Sequence, residues 1–159
     1  MNDPLVAVFP GLAMGGYRVT SPATDRYNCI AWAAGRDDRW WEPGHADAFW
    51  PADAPAATTL AAFEAAYRTL GYEPYASERF ELRFEKVAIF TNPAGVPTHA
   101  ARQLDNGRWT SKLGRDVDIE HATPHALNGP DYGAPALFMR RRRSPWRLMV
   151  ALLRRLAAS

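Results

Sequence analysis

The chain has 159 residues, 47% of them hydrophobic, with 19 basic against 17 acidic residues and a single cysteine. That is enough for one globular domain with a sizeable core and too little for two ordinary ones. One cysteine excludes an internal disulfide framework, the four histidines lack zinc-ligand spacing, and no run is long enough to span a bilayer, so neither metal nor cofactor is expected.

The net charge of +2 conceals an asymmetry. All acidic residues precede Arg140, whereas Arg140 to Arg143, Arg147, Arg154 and Arg155 follow them. The basic balance is therefore a property of the C-terminal segment, and no nucleic-acid partner is expected for the body. Residues 1–139 read as one α+β domain and residues 140–159 as an arginine-rich tail.

Residues 1–24 read as an irregular lead-in, with turn signals at Pro10-Gly11 and Gly15-Gly16. Asp3 and Pro4 interrupt its mildly apolar run and no basic segment precedes it. A secretory leader is therefore not expected, and the expected compartment is the cytoplasm, with delivery by other machinery still compatible.

Cys29 follows Asp25 and Asn28 and precedes the small apolar run Ile30-Ala31-Trp32-Ala33-Ala34, closed by Gly35. This reads as a loop entering a short buried helix, with the thiol at the helix start. Unpaired N–H groups there favour a thiolate. A buried, inert packing cysteine is the plain alternative.

Residues 36–55 are loop-like yet hold Trp40, Trp41, Phe49 and Trp50, which predicts a packed loop forming one wall of a cleft. Thr58 to Gly71 has the period of an amphipathic helix, with Leu60, Phe63, Tyr67 and Leu70 on one face. Strand-like runs follow at 84–90, 98–104 and 108–113, the last two joined across Asp105-Asn106-Gly107, with a further segment around Asp118 to His121. A helix followed by an antiparallel meander makes the fold α+β. In the tail, Ser144-Pro145 starts a basic amphipathic helix suited to an anionic membrane surface, a protein partner or the body itself.

A thiol at a helix start becomes a nucleophile when an imidazole takes its proton and a third group holds that imidazole. His99 opens a strand of the meander and is the leading partner. Here the chain resembles the compact papain-like fold of NlpC/P60 cysteine peptidases and amidases. The carrying segments are Asn28-Cys29 at a helix start, the strand 84–90, and the hairpin from His99 to Ser111 with its Asn106-Gly107 turn.

That resemblance implies a cysteine-bearing helix packed on an antiparallel meander sheet, catalysis by Cys29 and His99, and an orienting residue at Ser111. The family uses His, Asn or Gln there, so serine is a departure. A two-residue turn would face Ser111 away from His99, whereas a three-residue turn with a bulge puts both on one face. Gln103 shares the His99 face, and Asp118, Glu120 and His121 could enter from the next segment, so the orienting residue stays open.

The implied activity is thiol hydrolysis of an amide or acyl bond in a peptide, a ubiquitin-like conjugate or a cell-wall peptide. Asn28, Trp40, Trp41 and Trp50 would line the substrate cleft. The alternative is a binding or adaptor module using the basic tail. Nearly the whole body also resembles an uncharacterised bacterial domain family, through Tyr27-Asn28-Cys29, Trp40-Trp41, Thr98-His99 and the segment Asp118 to His121. Only two lysines, Lys86 and Lys112, accompany 17 arginines, and both fall in the strand region. A slim cation there suits a buried ion pair or a place beside the site.

Overall fold

Hairpins between successive strands build most of the sheet. In the computed structural model, which describes residues 2–159, the elements in chain order are α1 (Pro4–Val8), α2 (Leu12–Gly15), β1 (Tyr17–Ser21), α3 (Cys29–Ala33), α4 (Leu60–Arg68), β2 (Glu73–Pro74), β3 (Phe84–Thr91), β4 (Pro97–Gln103), β5 (Trp109–Lys112), β6 (Asp118–His121), a 3-10 turn (Pro124–Leu127), β7 (Ala134–Arg142) and α5 (Pro145–Ala158). The seven strands form one antiparallel sheet in the order β1-β6-β5-β4-β3-β7-β2. The fold is α+β, as the order of patterns predicts.

The β4–β5 turn decides the register. Gln103 pairs with Trp109 and Arg102 with Thr110, leaving Asp105, Asn106 and Gly107 as the turn. Gly107 takes φ 87°, the left-handed conformation that a three-residue turn requires. The three-residue turn is therefore the one formed. Because side chains alternate along a strand, His99 and Ser111 fall on the same face.

Both faces of the sheet are covered. Val87, Ile89, Ala100 and Met139 pack under α3 and α4 against Ile30, Ala31, Phe63 and Tyr67. Ala88, Phe90, Ala101, Trp109 and Ile119 face the other way, against Phe9, Leu12 and Leu127. The unbroken apolar run Val87 to Phe90 reflects a central strand buried on both sides. Thr59 caps α4 by accepting from the Ala62 N–H, and the Tyr67 hydroxyl donates to the Ile30 carbonyl at 2.9 Å, tying α4 to α3.

Two readings change. The lead-in at 1–24 holds two short helices and the edge strand β1, because Asp3 caps α1 and Tyr17 to Ser21 pair with β6. The body also continues past residue 139: Arg140, Arg141 and Arg142 lie in β7, paired with Lys86, Glu85 and Phe84. Helix α5 packs back on the body through its arginines, Arg147 to Glu85 at 3.1 Å and Arg154 to Asp105 at 3.0 Å. Its apolar stripe points outward, with Trp146 68% and Leu156 70% exposed.

Candidate functional site

Asn28 builds the start of α3. Its side-chain oxygen accepts from the Ala31 N–H at 3.2 Å and the Trp41 N–H at 3.1 Å, and its amide donates to the Trp41 carbonyl at 2.7 Å. One buried side chain thus caps the helix and fixes the aromatic loop beside it. Cys29 comes next, half-buried.

The β4–β5 ladder begins at Arg102 and Thr110. Ahead of it the strands part, and the backbone N–H groups of Ala100, Ile30 and Cys29 itself lie near the sulfur. Burial nevertheless pushes the Cys29 thiol up to about 11; those N–H groups and then the Lys112 charge pull it down without offsetting burial. Lys112 is fully buried, donates to the Asp116 carbonyl and lies 5.3 Å from the Tyr27 ring centre. The Tyr27 hydroxyl donates to Asp118 at 2.6 Å.

His99 is fully buried, its ring stacked on Tyr132 at 4.1 Å and met edge-on by Phe90 at 5.0 Å. Its Nε2 lies 3.0 Å from Ser111 Oγ, and the same hydroxyl lies 2.8 Å from His121 Nε2. His121 Nδ1 lies 2.8 Å from the Thr123 carbonyl.

These contacts assign the protons. A carbonyl only accepts, so His121 carries its hydrogen on Nδ1. Burial lowers the His121 pKa to about 4, leaving the ring neutral at pH 7 and its Nε2 an acceptor. The Ser111 hydroxyl therefore donates to His121, and its oxygen receives the hydrogen of His99 Nε2. His99 is left with a bare lone pair on Nδ1, which is buried and has no hydrogen-bond partner among the described residues. Burial, and then the His121 charge, lowers the His99 pKa to about 3.

A cleft of about 270 Å³ opens at the thiol, walled by Asn28, Cys29, Trp40, Trp41, Thr98 and Tyr132. Tyr132 separates the cleft from the ring of His99. Its loop closes by pairing Gly129 with Gly133, and Gly133 takes φ 69° where a Cβ would collide with the Thr91 carbonyl.

The structure brings Asn28, Trp40 and Trp41 to the Cys29 cleft and joins Ser111 to His99. Trp50 stands behind the wall, packed on Phe63 at 5.0 Å with its indole N–H on the Pro55 carbonyl. Gln103 shares the His99 face, but its amide donates to the Glu78 and Gly107 carbonyls and holds the hairpin. Glu120 lies on the opposite face from His121, in ion pairs with Arg18 and Arg108, both at 2.9 Å. His121 joins the relay because Trp109 pairs with it directly across β5 and β6. Lys86, the other lysine, is buried against Glu81 at 2.8 Å.

Among the described residues no group of three or more His, Cys, Asp or Glu side chains could hold a metal ion, and no helix is long and apolar enough to cross a membrane. The fold and site define an α+β domain with a helix-borne thiol on one face of the sheet and a serine-linked pair of histidines on the other, and no hydrogen bond joins Cys29 to His99. The family model described as Domain of unknown function (DUF7689) matches residues 18–140, and the chain belongs to that family. The match spans β1 to β7 and includes the whole site. No curated protein and no solved structure matches the chain.

Proposed function

We propose that the protein is a thiol hydrolase on a papain-like core of the NlpC/P60 type, acting on an amide or related acyl bond. Cys29 attacks the acyl carbon while His99 Nδ1 takes the thiol proton; the same proton then goes to the leaving nitrogen, which departs as an amine. Water, deprotonated by His99, then attacks the thioester; the C–S bond breaks, the acyl group leaves as a carboxylic acid, and the proton on His99 returns to the Cys29 sulfur. Ser111 and His121 are positioning residues that keep the proton of His99 on Nε2. The observation carrying this reading is the unpartnered Nδ1 lone pair, left bare by a relay that begins at the Thr123 carbonyl.

Burial holds both thiol and imidazole uncharged at rest. Attack and proton transfer therefore occur together, in contrast to a preformed thiolate–imidazolium pair. Tyr132 must yield for the two groups to meet within a substrate complex. The aromatic wall suits an extended peptide, including a ubiquitin-like or cell-wall peptide.

The outward apolar stripe of α5 favours a second reading, a binding module that contacts a protein or membrane surface through residues 140–159. An activity-directed thiol probe separates the two. Under the hydrolase reading it labels wild type at neutral pH, and labelling collapses in His99→Ala. Slow, equal labelling of both proteins favours the binding module.

A further inference from the structure

A second and larger cavity, about 590 Å³, lies beneath α5, away from the thiol cleft. Six arginines reach it: Arg36, Arg102, Arg141, Arg143, Arg147 and Arg154. Among the described residues, the only carboxylates on its wall are Glu85 and Asp105. Arg141 and Arg147 share Glu85, Arg154 takes Asp105, and Arg36 turns to Asp38 at 2.8 Å. Six guanidiniums thus face three carboxylates, an excess of three positive charges.

Arg102 and Arg143 have no carboxylate partner among the described residues. Arg143 donates from Nε to the Leu82 carbonyl at 2.9 Å. Arg102 is half-buried. Its Nε reaches the Trp32 carbonyl only at 3.5 Å, and its guanidinium lies 5.5 Å from the Trp32 ring centre. Burial, which dominates, lowers its pKa; Tyr72 and the Glu85 charge oppose that, and the neighbouring Arg141 and Arg147 add to it. A half-buried cation with no ion-pair partner of its own is unfavourable, and an anion entering the cavity would relieve it.

Anchoring of α5 explains Arg147 and Arg154, but not Arg102 or Arg143. The volume is that of a small-molecule site and exceeds the size of one phosphate. Guanidinium forks match phosphate oxygens two at a time. Taken whole, residues 1–139 carry 12 basic against 17 acidic residues, which disfavours a long polyanion.

We propose that the arginine cavity under α5 binds a soluble, phosphate-bearing small molecule with about three negative charges. This site is independent of any reaction at Cys29.

Calorimetric titration of the full chain with inorganic tripolyphosphate tests it. One saturable site is expected, weakened by added salt. Loss of a charge-assisted contact in Arg102→Met should weaken it about tenfold or more. Arg143→Gln should weaken it too, which covers the case in which Arg102→Met fails to fold. Arg79→Met, at an exposed arginine away from the cavity, should bind as wild type does. Absence of heat at millimolar probe overturns the proposal, as does equal weakening in Arg79→Met. Tighter capture by heparin or by anionic vesicles than by tripolyphosphate overturns the commitment to a small soluble ligand.

Discussion

Ser111 Oγ sits 3.0 Å from His99 Nε2, close enough to fix where the imidazole keeps its proton. Because the hydroxyl also serves His121 at 2.8 Å, Ser111→Ala orphans a buried nitrogen on each ring. The expected cost is about 2 kcal/mol or more in stability, from two unmet buried groups. Nitrogen chemical shifts of His99 should show a protonated Nε2 in wild type and a mixture of tautomers in the variant. Ser111→Thr, which keeps the hydroxyl, should restore the wild-type pattern.

The buried histidines make stability depend on pH in a fixed sense. Both fold with pKa values near 3 and 4, below their ordinary value of about 6.5. The unfolded chain therefore binds protons that the folded chain does not. Stability is fully present above pH 6.5 and is lost as pH falls through the window below it. The slope approaches about 1.4 kcal/mol per pH unit for each histidine. Urea midpoints from pH 8 to 4.5 should fall steadily below pH 6.5, and His99→Phe should roughly halve that slope. A midpoint unchanged from pH 7 to 5 would contradict these burials.

Lys112 is the cation that acts on the thiol. In Lys112→Met the thiol should ionise at still higher pH, so alkylation by iodoacetamide at pH 9 should slow. Lys86→Met should leave the alkylation rate unchanged, because Lys86 is engaged with Glu81 and the Ser77 and Arg79 carbonyls.

Asn28 serves helix and cleft at once. Asn28→Ala removes an N-cap and leaves the Trp41 N–H and carbonyl without their partner. A loss of about 2 kcal/mol is expected. Asn28→Asp keeps the cap but loses the donated hydrogen bond, so it should cost less in melting temperature. Both variants should show increased tryptophan quenching by iodide as the Trp40–Trp41 wall loosens.

Sequence alone exposes the helix starting at Cys29, the meander and the aromatic wall, because each rests on local patterns of capping, alternation and turn chemistry. The join between His99 and Ser111 depends on one register choice. Gly107 within a three-residue turn settles it, and the sequence permits either turn. His121 follows from a second register, β5 against β6, and Tyr132 from a loop closed by Gly129 and Gly133. Neither of these is a local property. β7 carries no local strand signal, because its arginines read as a solvated tail. In the fold Arg140 and Arg141 find Glu81 and Glu85, which lie far away in sequence.

The most direct measurement is intact-mass and peptide mapping after incubation with a small activated acyl ester at pH 7, on wild type, Cys29→Ser and His99→Phe. His99→Phe keeps a ring to stack on Tyr132 while removing the base. The expected result is a single acyl adduct on Cys29 of wild type, formed faster than it is hydrolysed, and absent from both variants over the same time. An adduct on Cys29 forming equally fast in His99→Phe would contradict proton transfer by His99, and no adduct on wild-type Cys29 would contradict the nucleophile itself.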